Sequence, residues 1–318
     1  MQKLIIILLV VTCVTFSAAT RAESNEEPLN LKQLLAAFNW DIDKTPITTE
    51  KISDNLYVLF GVGGNIGVSI GPDGVLVVDN QFPDMISKID SAVAAIGGKG
   101  IDVAINTHWH FDHAEGNLAM GPRGTRIVAH SNARADMASG GIVNLVISKY
   151  DQQPYPENAL PVLTYDSGMQ LYYNNEIIDI QHFSPAHTNG DSAIIFRKQN
   201  AVHLGDVFNN SGYPFIDADS GGDIDGMIAF CAQTLAQMKP GAKVIPGHGP
   251  ITDLKTLGDY INMLETVRDR VSKLMDEGKT MEQIVAAKVT KDYDRRYGDE
   301  SASLGFVNRV YTSLNKKR

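Results

Sequence analysis

Three of the chain's eight histidines fall within six residues, in Thr107-His108-Trp109-His110-Phe111-Asp112-His113, and this cluster constrains the fold more than any other feature. Packing alone gives no reason for such density. The apolar run at 101–106 reads as a strand. If extension continues past it, His108 and His110 face one side, because side chains alternate with period two, while Asp112 and His113 come from the turn that follows. Two donor pairs then face one pocket. Imidazole and carboxylate are the donors zinc prefers where one position must stay open for water. Three further candidates sit at strand ends or glycine-flanked turns: His187 in Pro185-Ala186-His187-Thr188, Asp206 in His203-Leu204-Gly205-Asp206, and His248 in Gly247-His248-Gly249.

Together these segments resemble the metallo-β-lactamase superfamily. The resemblance rests on His-Trp-His-Phe-Asp-His at 108–113, Ala-His-Thr at 186–188, Gly-Asp at 205–206, Gly-His-Gly at 247–249 and the strand Leu76-Val77-Val78-Asp79, and it covers residues 50–250. It implies a mixed α/β fold, a four-layer αββα sandwich with its metals at one edge. It also implies two zinc ions per chain, with His108, His110 and His187 around one, Asp112, His113 and His248 around the other, and Asp206 bridging them. Asp79 would support the ligands from behind; a turn carboxylate closing its strand is an equal reading.

Two cations bridged by a carboxylate leave room for a water whose pKa falls toward neutrality, so hydroxide attacks a carbonyl without a protein nucleophile. Asp112 is the expected catalytic residue, orienting that water or carrying a proton. No Gly-x-Ser-x-Gly elbow occurs, and Gly61-Val62-Gly63-Gly64 lacks the ending of a phosphate loop, so it reads as a flexible hairpin over the site. The expected substrate is a small-molecule ester, lactone, thioester or β-lactam. The zinc β-lactamases with a cysteine ligand carry it where this chain has Asp206, and a drug-binding lysine where it has Asn209; both departures weaken the antibiotic reading. A hydroxyacylglutathione hydrolase is similar in its metal residues but works on a cytosolic thiol. The alternative is iron or manganese in the same donors, as in relatives that oxidise persulfides. A non-catalytic metal-binding protein is the third reading.

Residues 1–22 read as a signal peptide: Lys3, an apolar run at 4–14, then Ser17, Ala18, Ala19 and Ala22. A periplasmic or secreted address follows. No later apolar stretch approaches the roughly 20 residues a membrane helix needs, so no membrane association is expected once the signal is removed. With 28 Lys+Arg against 37 Asp+Glu the net charge is −9, which disfavours a nucleic-acid partner. Nothing in the sequence fixes an oligomeric state. Cys231 becomes the one thiol after signal removal, and its helical spacing with Ile224, Met227, Ile228 and Leu235 makes it a core residue.

The remaining pattern divides the chain into a lead-in segment at 23–49, the metallo-β-lactamase-like domain at 50–250, and helices at 251–318 packing on that domain. Strands are expected at 55–61, 65–70, 75–79 and 101–106, with a helix at 84–96. The second half repeats this order, with extended segments at 171–182, 192–196 and 201–204, a helix at 224–238 and a strand at 243–245. Leu254, Leu257, Ile261, Leu264, Val271 and Leu274 mark a helical stripe. His130, His182 and His203 are expected to be structural. Tyr213 and Phe215, in the segment 209–217, would either contact substrate at the pocket rim or pack that loop down.

Overall fold

The computed structural model describes residues 27–318, so the expected signal peptide lies outside the described residues. Helix α1 (Leu31–Ala37) begins at Asn30, whose side chain accepts from the Gln33 N–H while Gln33 reaches back, a reciprocal cap that satisfies two orphan donors. Strands β1 (Thr48–Lys51), β2 (Leu56–Phe60), β3 (Ile66–Gly71) and β4 (Gly74–Val78) follow as a meander. Helix α2 (Ile86–Ala95) leads to β5 (Val103–Ile105). After the short helices α3 (Phe111–Ala114) and α4 (Asn117–Met120) come β6 (Arg126–His130) and α5 (Ser131–Ser139). A separate hairpin, β7 (Gly141–Asn144) and β8 (Lys149–Gln152), precedes β9 (Leu163–Tyr165). The first sheet has seven strands in the order β1-β2-β3-β4-β5-β6-β9, with β4, β5, β6 and β9 parallel.

The second sheet has six strands: β10 (Gly168–Tyr173), β11 (Glu176–Gln181), β12 (Ala193–Phe196), β13 (Ala201–His203), β14 (Lys243–Ile245) and β15 (Thr252–Asp253), in that order. Its helices are α6 (Ile224–Gln237), α7 (Leu254–Asp276), α8 (Met281–Ala286), α9 (Asp294–Tyr297) and α10 (Glu300–Asn315). The extended segment expected at 171–182 is in fact two strands. Asn174 and Asn175 both take positive φ, 54° and 59°, and fold the chain into a two-residue hairpin turn.

Side-chain alternation builds the four layers. Leu76 and Val78 on β4, Ile105 on β5 and Val128 on β6 pack between the sheets against Ile178, Ile180, Ile194 and Phe196 of the second sheet. Their neighbours Val75, Val77, Ala104, Ile127 and Ala129 point the other way, onto Ile86, Ile89 and Val93 of α2 and Ala133 and Met137 of α5. Ile195, Val202 and Val244 likewise turn outward onto α6, α7 and α10. Both faces of the central strands are therefore apolar, as strands covered on both sides require. Cys231 is fully buried in the outer layer, where burial pushes its thiol pKa up. Among the described residues no helix is long and apolar enough to cross a membrane. The parallel strands β4, β5, β6, β13 and β14 all deliver their C-terminal ends to one edge of the sandwich, where loops converge.

Candidate metal centre

All seven candidate donors meet at that edge. His108 and His110 follow β5, Asp112 and His113 open α3, His187 follows β11, Asp206 sits in the 3-10 turn Gly205–Val207 after β13, and His248 follows β14. Their donor atoms form three overlapping groups capable of holding a cation: His108, His110 and His187; His108, His113 and Asp206; Asp112, His113 and His248.

Four imidazoles are anchored from behind. His110 Nε2 donates to Asp217 Oδ2 at 2.9 Å, His187 Nδ1 to the Phe215 carbonyl at 2.7 Å, and His113 Nδ1 to Asp79 Oδ2 at 2.7 Å. His108 Nδ1 meets Thr107 Oγ1 at 3.0 Å, and that hydroxyl in turn donates to Asp79 Oδ2 at 2.8 Å. At His108, His110 and His187, with the outer nitrogen acting as donor, the inner one carries the lone pair, the tautomer a metal needs. Those inner atoms crowd together: His187 Nε2 lies 2.8 Å from His110 Nδ1, and His108 Nε2 is buried with no protein partner. Adjacent lone pairs without a shared proton repel, and a buried polar atom without a partner is costly. A cation at their focus resolves both, so the donor set fits a metal.

Asp206 stands between the groups. Its Oδ1 is 3.0 Å from His113 Nε2 and 3.4 Å from His248 Nε2, and its Oδ2 is 3.9 Å from His187 Nε2. Asp112 Oδ2 lies 3.2 Å from His248 Nε2 and 3.7 Å from His113 Nε2. The electrostatics divide accordingly. Burial, reinforced by the neighbouring histidines, drives His108 well below its ordinary pKa and His187 to about 4. For His113 burial opposes the charge, but Asp206, Asp112 and Asp79 overcome it and raise the pKa well above the ordinary value. His248 rises to about 10 against the same opposition, chiefly through Asp206 and Asp112.

Glycines let the loops close on these groups. A Cβ at Gly64 would fall 2.2 Å from His113 Cε1, and one at Gly247 1.9 Å from Asp206 Oδ1. The Gly61–Gly64 hairpin is thus packed onto the centre: the Gly64 N–H donates to the Asp112 carbonyl at 3.0 Å, and Gln81 donates to the Gly64 carbonyl at 2.6 Å. Asn65 next to it donates to the Pro246 and Gly249 carbonyls at 2.9 and 2.8 Å, tying the first sheet to the His248 loop. Asp79 adopts φ 64° while accepting the Thr107 N–H at 2.7 Å, a strained residue held by its function in orienting neighbours.

Neither Asp217 nor Thr107 has a spacing that marks it as a support for the donors; the one sequence signal is that the 209–217 loop follows Asp206 at the pocket rim. Tyr213 packs down, stacked on Phe306 at 5.1 Å with its hydroxyl donating to Asp294 at 2.8 Å. Phe215 is half-exposed and lies 6.0 and 5.8 Å from the His110 and His187 rings, so the same loop offers one structural and one site-facing aromatic. His130, His182 and His203 each place a ring nitrogen on a backbone carbonyl, of Asp166, Asp191 and Asn65 respectively, and lie outside the seven-donor cluster.

Residues 61–266 match the sequence profile of the metallo-beta-lactamase superfamily. A hydroxyacylglutathione hydrolase from Polaromonas sp. (strain JS666 / ATCC BAA-500) is 28% identical over 159 residues, which are 49% of this chain and 52% of that protein. The chain thus spans about half the length of this curated relative. Among solved structures, a stereoselective inverting sec-alkylsulfatase from Pseudomonas sp. superposes with a TM-score of 0.66 at 17% identity, over 83% of this chain and 50% of the sulfatase. A metallo-beta-lactamase from Pontibacter korlensis superposes with a TM-score of 0.56 at 14% identity, over 69% of this chain and 99% of the enzyme. These structural likenesses concern the fold.

Proposed function

We propose that this chain, which belongs to the metallo-beta-lactamase superfamily, is an exported dinuclear zinc hydrolase that cleaves a carbonyl compound: an ester, lactone, thioester or β-lactam. The observation that carries this reading is the anchored imidazoles of His108, His110 and His187, whose inner nitrogens converge beside Asp206 and the second donor group of Asp112, His113 and His248. His108, His110 and His187 would hold one ion, Asp112, His113 and His248 the other, and Asp206 both. When bound, two such cations polarise an acyl oxygen and bring the pKa of water toward neutrality.

The chain's own residues supply orientation and proton transfer. Asp112 stays ionised, its pKa lowered by His113 and His248 against the opposing effect of burial, and it is the group placed to orient the attacking water and carry its proton. Asp79 fixes His113 and, through Thr107, His108, while Asp217 fixes His110. Phe215 lies beside the rings of His110 and His187. The likeness to a hydroxyacylglutathione hydrolase supports carbonyl chemistry on an acyl group; the signal-like segment at 1–22 supports a different, extracytoplasmic acyl compound.

A panel of a cephalosporin, an acyl-homoserine lactone, a thioester and a phosphodiester, run on protein of known metal content, tests the reading. Turnover of a carbonyl substrate by chain holding two zinc ions is the expected result. Hydrolysis of the phosphodiester alone, or one tightly held iron with oxygen uptake on glutathione persulfide, would overturn it.

A further inference from the structure

A second cleft, outside the metal centre, lies between the β7–β8 hairpin and α10. It is lined by Ile142, Asn144, Val146, Lys149, Asp219, Asn308 and Arg309, and encloses about 450 Å³, within the size range of small-molecule sites. Its chemistry runs against that of the whole chain. The protein carries a net charge of −9, yet this cleft presents two cations against one carboxylate.

Arg309 is the unusual member, because its side chain is only 7% exposed and a guanidinium is charged at every physiological pH. It donates through Nη1 to Asp219 Oδ2 at 2.8 Å and through Nε and Nη2 to Asn308 Oδ1 at 3.1 and 3.0 Å. Those bonds use three of the five N–H groups of an arginine and leave one on each Nη without an acceptor among the described residues. Asp219 does not neutralise the cleft, for it is shared: the same Oδ2 accepts from Asn144 Nδ2 at 3.2 Å, and Oδ1 lies 3.7 Å from Lys316 Nζ. Lys149 forms no ion pair among the described residues, and Ile142 beside it is 42% exposed.

We propose that this cleft binds a small organic carboxylate with an aliphatic tail, its head on Arg309 and Lys149 and its tail along Ile142 and Val146. Charge-assisted bonds to a carboxylate supply the acceptor that the two spare guanidinium N–H groups lack, and the tail covers the exposed Ile142. The site is separate from the seven metal donors, so it stands or falls independently of the hydrolase reading.

Calorimetric titration of octanoate into the full metal-loaded chain tests this, with octanol as the uncharged control. Expected is one binding equivalent that weakens at least tenfold in Lys149→Gln, weakens with added salt, and is absent for octanol, while the variant keeps the unmodified chain's turnover without octanoate. Because Arg309→Gln removes a buried group that the fold uses, Lys149→Gln and Ile142→Asn carry the test. Octanoate affinity unchanged in both variants, equal binding of octanol, or no binding at millimolar octanoate would overturn the proposal.

Discussion

The two halves of the candidate metal centre are built from similar donors but are prepared in opposite protonation states. The His108, His110 and His187 group is almost entirely imidazole, and burial holds His108 and His187 neutral, with lone pairs ready. The Asp112, His113 and His248 group is set among carboxylates, and in the metal-free chain those charges keep protons on His113 and His248. One half is preorganised to accept a cation directly. The other must exchange protons for it, which makes its affinity depend on pH.

The largest effects fall on the donors themselves, on Asp206 between the halves and on one residue from each half. Asp206→Ala, His110→Ala and Asp112→Ala should each lower kcat/KM by roughly 10³-fold or more while circular dichroism stays native, because each removes a donor or proton carrier from the reacting centre. Full activity in any of them defeats the seven-donor assignment. Next comes the pH test of the comparison itself. Metal affinity at the carboxylate-rich half should rise by about tenfold per pH unit for each proton displaced, so equilibrium dialysis at pH 6 should find the histidine half filled first. Two sites of equal affinity at every pH would erase the distinction.

A stability consequence has the same origin. The folded-state pKa of His248, about 10, exceeds its unfolded value near 6.5, so its pairing stabilises the metal-free chain fully below about pH 6.5 and that contribution is lost as pH rises through 10. Melting temperatures with chelator should fall over that window. Smaller still, Asp217→Asn and Asp79→Asn should each cost about 10- to 100-fold in metal affinity, the first at the His110 side alone and the second at both, through His113 and, by way of Thr107, His108, a difference that metal titration resolves. Tyr213→Phe removes only the hydroxyl's contacts with Asp294 and the Thr290 carbonyl, and is expected to cost about 1 kcal/mol in denaturant unfolding with both metals and turnover unchanged.

Much of this was legible in the sequence because the donors are chemically distinctive and fall at strand ends. His108 to His113 announce themselves by density, and the strands at 56–60, 66–71 and 74–78 by apolar runs between turn residues. What stayed hidden depends on three-dimensional proximity. Asp217 is an ordinary loop acid until the fold carries it onto His110, 107 residues away. The segment 131–165 was not read into elements because a polar helix, a hairpin and the short strand β9 follow one another there, and none of them is long enough to impose a period. The Gly61–Gly64 turn looked free because glycine is permissive in isolation; here its missing side chains are what let the backbone touch His113.

The central claim, that seven side chains from 108 to 248 hold two cations, is tested most directly by anomalous diffraction at the zinc edge from crystals of protein purified without added metal. Two peaks, one among His108, His110 and His187 and one among Asp112, His113 and His248, with Asp206 between them, are predicted. A single peak, or none at these residues in a chain that still turns over substrate, would contradict the account.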